Sequence, residues 1–252
     1  MTTLTKPQAR DPVQVPGRRG TPLRSDAARN YLGGDGVIPQ GGLSVALERD
    51  FGSVDGWRAD FTALALSKRE GAGWATLSWS GREARLINHW TDDLAQLPAG
   101  ATILLALEMS DRAAFQDGFD GQASTYVDAC LAQVRWETIA PEYARLIETA
   151  SAPLGVSPSE AAGQADTPII DVRRRAVFDN AQDKIPGAPW RDPALAGQWQ
   201  SDIARGQPAI VYCVHGHEVS QSVALALRAR GVEAFYLAGG IEGWRHAGLP
   251  MG

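Results

Sequence analysis

The chain has 252 residues, of which 44% are hydrophobic and 21% charged, so it is long enough to form one large domain or two small ones. Its net charge of −5 gives no general basic excess of the kind that nucleic-acid binding requires. Two cysteines, Cys130 and Cys213, are too few for a disulfide scaffold, no apolar run is long enough to cross a membrane, and the N-terminus lacks a secretory signal. We therefore expect a soluble, cytoplasmic protein that binds neither nucleic acid nor membrane.

Residues 1–40 are predicted to form a disordered tail. Prolines interrupt residues 1–30, four arginines add local positive charge, and aliphatic side chains are almost absent. A weak contact with an anionic partner is the alternative to a merely flexible tail. We expect order to begin near Gly41.

Residues 41–150 predict an α+β domain. Apolar residues from Leu43 to Phe51 follow helical spacing, and Ser53 is the predicted N-cap of a second helix that ends before residue 71. Three strand-like runs cover residues 74–79, 84–89 and 102–107, with a turn at residues 80–81. Further helices are predicted over 126–134 and 141–147. Cys130 lies among apolar residues of the first of these, which is typical of a core thiol.

Several segments of this region resemble, in order and spacing, the C-terminal half of iron/manganese superoxide dismutases. They are residues 50–53 (DFGS), 73–75 (GWA), 104–115 and 126–129 (YVDA), followed by Trp136. The resemblance implies helices packed on a three-stranded antiparallel sheet. It also implies that this region provides either a homodimer contact or a contact with another partner.

The resemblance does not extend to the metal ligands. That family binds its metal with three histidines and one aspartate, and two of the histidines lie in an N-terminal helical hairpin without a counterpart here. The other two positions hold Glu108 and Arg112, and a guanidinium has no lone pair to offer a metal. His89, the one histidine of the region, ends a predicted strand. We expect no metal, no dismutase activity and an ion pair between Glu108 and Arg112.

Residues 149–167, rich in Ser, Ala, Pro and Gly, predict a linker or the thin beginning of a second domain, which we place at 151–252. Strands are predicted over 168–173, 209–212 and 233–237, and helices over 194–204, 219–230 and 241–247. Turns are predicted at 184–188 and 238–240, and Trp244 is the predicted core anchor of the last helix. Strands that alternate with helices indicate a small α/β domain with a parallel sheet.

Cys213 follows the predicted strand 209–212 on a turn into a helix. Main-chain N–H groups and the positive end of a helix favour the thiolate, which is the nucleophilic form of cysteine. Gly216 allows the backbone to bend closely around the sulfur, and Ser220 is predicted to begin and cap the helix. The predicted substrate-binding loop comprises Val214, His215, Gly216, His217, Glu218, Val219 and Ser220.

Four segments in order resemble the rhodanese family: residues 170–173 (IDVR), 185–188 (IPGA), 210–213 (IVYC) and 239–244 (GGIEGW). The resemblance implies a sulfurtransferase without a cofactor. Cys213 would take a sulfane sulfur from a small-molecule donor, hold it as a persulfide and pass it to a thiol or a cyanide-like acceptor. Asp171 and Arg173 would form a structural pair below the loop.

The loop departs from the family pattern Cys-x-x-Gly-x-Arg, because Glu218 stands where the arginine falls. It therefore lacks the cationic fork that binds oxyanions, and phosphatase-type or arsenate-type activity is not expected. Unless its side chain points outward, Glu218 would also repel an anionic donor such as thiosulfate. Lys184 replaces a histidine that often precedes the Ile-Pro-Gly-Ala segment.

His215 and His217 leave three interpretations open. With Cys213 they form Cys-x-His-x-His, a spacing that a metal could use, although no fourth ligand is evident. Alternatively, the imidazoles tune the reactivity of Cys213 or transfer protons, or they are two exposed polar side chains. For the whole chain, the alternatives to a sulfurtransferase are a non-catalytic redox or persulfide sensor or scaffold, a thiol-based oxyanion-detoxification accessory protein, and an active superoxide dismutase.

Overall fold

A computed structural model of the protein describes residues 31–67, 73–109 and 123–252. The predicted tail over residues 1–30, the predicted helix end at Gly71 and the predicted pairing of Arg112 lie outside these ranges. Residues 31–40 belong to the fold, because Tyr31 is 5% exposed and its carbonyl accepts a hydrogen bond from the Arg135 N–H at 2.7 Å. Order therefore extends at least ten residues further toward the N-terminus than the sequence predicts.

The first region consists of helices packed on an antiparallel sheet. Helices α1 (Gly42–Phe51) and α2 (Val54–Ser67) precede strands β1 (Trp74–Ser80), β2 (Arg85–Thr91) and β3 (Ala101–Glu108), which pair in the order β2-β1-β3. Helices α3 (Ala123–Leu131) and α4 (Trp136–Ser151) follow. The three predicted strands and the presence of each predicted helix are confirmed, and Ser53 caps α2 by accepting a hydrogen bond from the Gly56 N–H at 2.8 Å.

The prediction for α4 is wrong at its start. It begins at Trp136 rather than at Pro141, which lies inside the helix. Trp136 is fully buried against Trp57, with the two rings edge to face at a centroid distance of 5.2 Å. Burial of such a large aromatic surface adds hydrophobic and ring–ring stabilisation, so tertiary packing holds the first turn of α4 in place ahead of the proline.

The second region contains a parallel sheet, and residues 149–167 lead directly into it. After a 3-10 helix over Ala152–Leu154, strand β4 (Gly155–Val156) and helix α5 (Pro158–Ala162) precede β5 (Ile169–Asp171) and α6 (Arg175–Asp179). Strands β6 (Ala209–Tyr212) and β7 (Ala234–Leu237) complete the sheet in the order β4-β7-β6-β5. Helix α8 (Glu218–Arg228) connects β6 with β7, and α9 (Gly240–His246) follows β7, with Trp244 buried as predicted.

The predicted helix over 194–204 is instead three short segments. They are a 3-10 helix (Pro193–Leu195), helix α7 (Ala196–Trp199) and a second 3-10 helix (Gln200–Asp202). The Trp199 indole N–H donates to the Asp192 carbonyl at 2.8 Å, which draws the chain back on itself. A glycine at position 197 also weakens a continuous helix. Among the described residues, no helix is both long enough and apolar enough to cross a membrane.

Helix α8 is shared by the two regions. Val223, Ala224 and Leu227 pack in the core of the parallel sheet, whereas Leu225 packs against the core of the first region. Helix α1 contacts α8 from the other side, and the first six residues of α1 are all buried. A helix that is covered on both faces is typical of the interior of a larger unit, so the two regions form one continuous packed structure.

Candidate active site

Cys213 lies directly after β6, an interior strand of the parallel sheet. The four residues of β6 are all buried, and Cys213 itself is 7% exposed. The residues that follow turn immediately into helix α8, so the cysteine stands between the carboxyl end of a strand and the amino end of a helix. Ligand sites of open α/β sheets lie at this end of the strands.

Two glycines allow the loop after Cys213 to close tightly. Gly216 has a φ of 71°, and a Cβ there would lie 2.5 Å from the Leu237 carbonyl oxygen. Gly240, with a φ of 58°, faces it, and a Cβ there would lie 2.5 Å from the carbonyl oxygens of Cys213 and Val214. Only glycine combines a positive φ with this close approach of backbone to backbone, so both positions are required for the shape of the loop.

The first turn of α9 fixes the orientation of the loop. Ile241 donates its N–H to the Cys213 carbonyl at 3.0 Å, and Glu242 donates to the Val214 carbonyl at 3.1 Å. Within the described part of the chain, the N–H groups of residues 214–217 have no protein acceptor. These donors are therefore available to a bound anion or to water.

Ser220 corrects a prediction. Helix α8 begins at Glu218 with His217 as its N-cap residue, so Ser220 lies within the first turn and does not cap the helix. Its hydroxyl donates to the His217 carbonyl at 3.3 Å, and its oxygen lies 3.2 Å from the Cys213 sulfur. Ser220 is fully buried, so this hydroxyl is a fixed polar neighbour of the thiol.

Asp171 and Arg173 form the predicted pair, and both are buried. The Arg173 Nε lies 2.9 Å from one carboxylate oxygen and 3.0 Å from the other. The Tyr212 hydroxyl donates to the same carboxylate at 2.8 Å. Burial and the nearby Asp171 charge raise the pKa of Tyr212, so this tyrosine remains a neutral donor. The cluster joins β5 to β6 beneath the loop, which is the supporting position that the sequence predicts.

His215 and His217 are both exposed, and their ring centroids lie 5.7 Å apart. They stand at the surface of the loop, whereas the Cys213 sulfur is buried beneath it. The described residues contain no group of three histidine, cysteine, aspartate or glutamate side chains placed to hold a metal ion. The two histidines are positioned to meet a molecule that approaches the loop from solvent.

Glu218 extends away from the loop into the seam between the two regions. One of its carboxylate oxygens, Oε1, accepts a hydrogen bond from the Gly42 N–H, the first residue of α1, at 3.3 Å. The opposing glycine has no side chain, and a Cβ there would lie 2.0 Å from the Glu218 Cγ. The sequence leaves open whether Glu218 points toward the bound substrate or away from it. In the structure it points away from the loop, toward α1.

The predicted remnant of a metal site lies at the end of β3. Glu108 is exposed there, and its carbonyl accepts a hydrogen bond from the Tyr126 hydroxyl at 3.1 Å. Nearby, Cys130 is 5% exposed in the apolar core, as predicted, and burial raises the pKa of its thiol to about 11. His89 lies on β2, where its ring contacts the Thr76 hydroxyl at 3.0 Å.

The sequence assigns no role in the site to four residues that shape it. Tyr212 is predicted as a strand residue within the segment 210–213, although a tyrosine beside an aspartate-bearing strand is a usable signal. Gly240 is predicted as a turn residue within the segment 239–244. Gly42 and Arg49 are remote in sequence from the loop, and no local pattern indicates that they contact α8.

The fold and the cysteine loop define a chain of two parts, a dismutase-type α+β region and a rhodanese-type α/β domain. Residues 39–142 match the family model described as the C-terminal domain of iron/manganese superoxide dismutases, and residues 157–247 match the model of the rhodanese-like domain. The chain belongs to the iron/manganese superoxide dismutase family through the first of these and carries a rhodanese-like domain as the second.

Two curated dismutases illustrate the first match. An iron superoxide dismutase of Cupriavidus metallidurans is 40% identical over 114 residues, which are 45% of this chain and 57% of that protein. A manganese superoxide dismutase of Salmonella typhimurium is 30% identical over 143 residues, which are 52% of this chain and 68% of that protein. Against the first of these, the chain spans little more than half the length of its relative.

A solved rhodanese-related protein from Thermoplasma volcanium illustrates the second match. It is 19% identical, with a TM-score of 0.35, and the likeness covers 39% of this chain and 96% of that one. The two family-model matches and the two sheets confirm the predicted fold class of an α+β dismutase-like region followed by a rhodanese-like domain with a parallel sheet.

Proposed function

We propose that the chain is a sulfurtransferase whose nucleophile is Cys213. The observation that carries the proposal is the position of the buried sulfur between the end of β6 and the start of α8, with Ser220 at 3.2 Å. A thiolate and a persulfide are both anions, and the N–H groups of the loop and the amino end of α8 are suited to hold either one.

The reaction proceeds in two balanced steps. The Cys213 thiolate attacks the sulfane sulfur of a donor, a new S–S bond forms on the cysteine, and the donor leaves with the electrons of its own broken bond. An acceptor thiol or cyanide then attacks the terminal sulfur of the persulfide, and the S–S bond breaks with its electron pair returning to Cys213. The enzyme ends in its starting oxidation state, so no cofactor is required.

The charge of the loop bears on the donor. No cationic side chain follows the Cys-x-x-Gly segment, so a donor that needs a guanidinium fork is disfavoured. Glu218, which would otherwise repel an anion, is bound to α1. We expect a sulfane donor without a sulfonate-type oxyanion, such as a small thiol persulfide, to load faster than thiosulfate. The exposed His215 and His217 are placed to contact it.

The first region serves in this proposal as a scaffold and not as a dismutase. Glu108 and the arginine at position 112 stand at positions where the family has ligands, and arginine is not a metal ligand. We also propose that this region forms partner contacts, including a homodimer. A cytoplasmic location is part of the same proposal, because two free cysteines fit a reducing compartment.

The test is sulfur loading measured by intact mass and by cyanolysis. Wild-type protein incubated with a small thiol persulfide and then desalted should carry one cyanide-releasable sulfur per chain. Cys213→Ala should carry none, whereas Cys130→Ala should load like the wild type. Loading that turns over with an added thiol acceptor supports the transferase. A stable adduct on Cys213 without turnover would instead make the protein a persulfide sensor.

A further inference from the structure

Hydrogen bonds at two positions join α1 to α8, the helix that follows Cys213. Glu218 and Ser222 stand one turn apart on α8, and therefore on the same face. Gly42 and Arg49 stand two turns apart on α1, and each contacts one of them. The Arg49 guanidinium donates to the Ser222 hydroxyl at 3.3 Å, and Gly42 donates to Glu218 at 3.3 Å.

The Glu218 contact combines charge with shape. Its carboxylate meets the first N–H of α1, where the partial positive charge of the helix end stabilises an anion. The space for its side chain exists because residue 42 has no Cβ. Gly42 does not have a φ that requires glycine, and alanine is the better helix former, so the glycine is explained by the room it leaves for Glu218.

Glu218 also lies at the end of the loop that follows Cys213. Glu218 is the first residue of α8, directly after the N-cap His217, whose carbonyl accepts from the Ser220 hydroxyl beside the Cys213 sulfur. Fixing the Glu218 side chain therefore fixes the end of the loop that follows the sulfur, next to the His217 carbonyl and the Ser220 hydroxyl. A glutamate at this place is a consistent partner of α1, whereas a cation would face the positive end of that helix.

We propose that Glu218 is a positioning residue for the Cys213 loop, and that it acts by anchoring the start of α8 to Gly42 of the dismutase-like region. This proposal rests on the proposed sulfurtransferase function for its catalytic consequence, but the anchoring itself does not depend on it. The dismutase-like region thereby holds the start of α8, and with it the end of the Cys213 loop, in a fixed position.

The first measurement follows loop exchange, defined as amide hydrogen exchange of Gln221, Ile241 and Glu242, whose N–H groups donate to the loop carbonyls of His217, Cys213 and Val214. It compares wild type, Glu218→Ala, Glu218→Gln and Gly42→Ala. Glu218→Ala should accelerate this loop exchange by about tenfold, because local opening becomes easier when the anchor is lost. Glu218→Gln keeps an oxygen for the Gly42 N–H and should lie between the two. Gly42→Ala displaces the glutamate from the opposite side and should reproduce the effect of Glu218→Ala. Glu233→Ala, an exposed glutamate of the same domain, is the matched control.

The second measurement follows the rate of sulfur loading on the same variants. A loosened loop places the sulfur less well, so the maximal loading rate should fall about tenfold in Glu218→Ala while the donor concentration at half-maximal rate changes less than about threefold. Loop exchange in Glu218→Ala and Gly42→Ala equal to that of Glu233→Ala would overturn the proposal. Faster loop exchange in a protein whose wild type loads no sulfur would support the anchor and refute the sulfurtransferase.

Discussion

Cys130 in the dismutase-like region and Cys213 in the rhodanese-like domain are buried to nearly the same extent, with 5% and 7% exposure. Cys130 lies in the last turn of a helix, within the apolar core, where burial raises the pKa of its thiol to about 11. Cys213 lies at the end of a strand, beside a serine hydroxyl and the amino end of a helix. Burial alone therefore does not make a thiol inert, and the polar groups around it decide its chemistry.

The two regions differ in the same way as their cysteines. The dismutase-like region keeps its sheet, its aromatic core and its helix pairs, but arginine stands at one of the positions where the family binds metal. The rhodanese-like domain keeps a cysteine at the start of the tight glycine loop, although one charge in that loop is reversed relative to the family pattern. A packed core is maintained by many weak contacts, whereas a metal site depends on a few specific ligands.

The largest expected effect tests whether the two regions are one folding unit. Arg49 and Asp50 form an ion pair with side chains 1% and 2% exposed, and Arg49 also bonds to Ser222 of α8. Arg49→Ala leaves the Asp50 charge buried without its partner, so we expect the free energy of unfolding to fall by about 3–5 kcal/mol. Chemical denaturation followed by tryptophan fluorescence and by circular dichroism should show one coincident transition, shifted as a whole.

Arg175→Ala is the matched control, because Arg175 pairs with Asp179 at the surface, where the two side chains are 68% and 48% exposed. It should cost less than about 0.5 kcal/mol. Two separate transitions, with only one of them moved by Arg49→Ala, would show that the regions unfold independently. The two regions would then not be one folding unit.

An intermediate effect sharpens the contrast between the cysteines. The pKa of Cys130 rises from 9.0 to about 11 on folding, so the folded state retains a proton that the unfolded state loses. Stability from this group is therefore complete below pH 9 and declines as the pH rises from about 9 to about 11. At pH 10 the loss amounts to about 1.4 kcal/mol. Denaturation midpoints of wild type and Cys130→Ala between pH 8 and 11 measure it, and parallel curves for the two proteins would contradict the assignment.

The smallest effect concerns Ser220. Ser220→Ala removes the hydroxyl 3.2 Å from the Cys213 sulfur but leaves the backbone of the loop intact. We expect sulfur loading to slow by about threefold to tenfold, in keeping with the loss of one polar contact worth about 0.5–1.5 kcal/mol. Ser201→Ala, at an exposed serine of the same domain, should load at the wild-type rate. An equal rate for both variants would mean that the hydroxyl is a packing group only.

Local pattern was enough to predict most of the fold. The apolar run before Cys213 and the turn signals at residues 239–240 are read within a few positions of the chain, and the structure confirms strand, loop and helix there. The break in the predicted helix over 194–204 was not predictable in this way, because it depends on the Trp199 indole reaching back to Asp192.

The direction of Glu218 could not be predicted for a similar reason. Its partner Gly42 lies 176 residues earlier in the chain, and the space it occupies exists only once α1 packs on α8. The sequence shows only that Glu218 stands where the family pattern has an arginine. In the structure its carboxylate lies at the amino end of α1, where it forms a contact between the two regions.

The most direct test of the central claim is the intact mass of the protein after exposure to a small thiol persulfide, on a preparation with measured iron and manganese content. The proposal predicts the addition of one sulfur atom to wild type and to Cys130→Ala, none to Cys213→Ala, and release of that sulfur by cyanide. Equal sulfur addition to Cys213→Ala and wild type would contradict it.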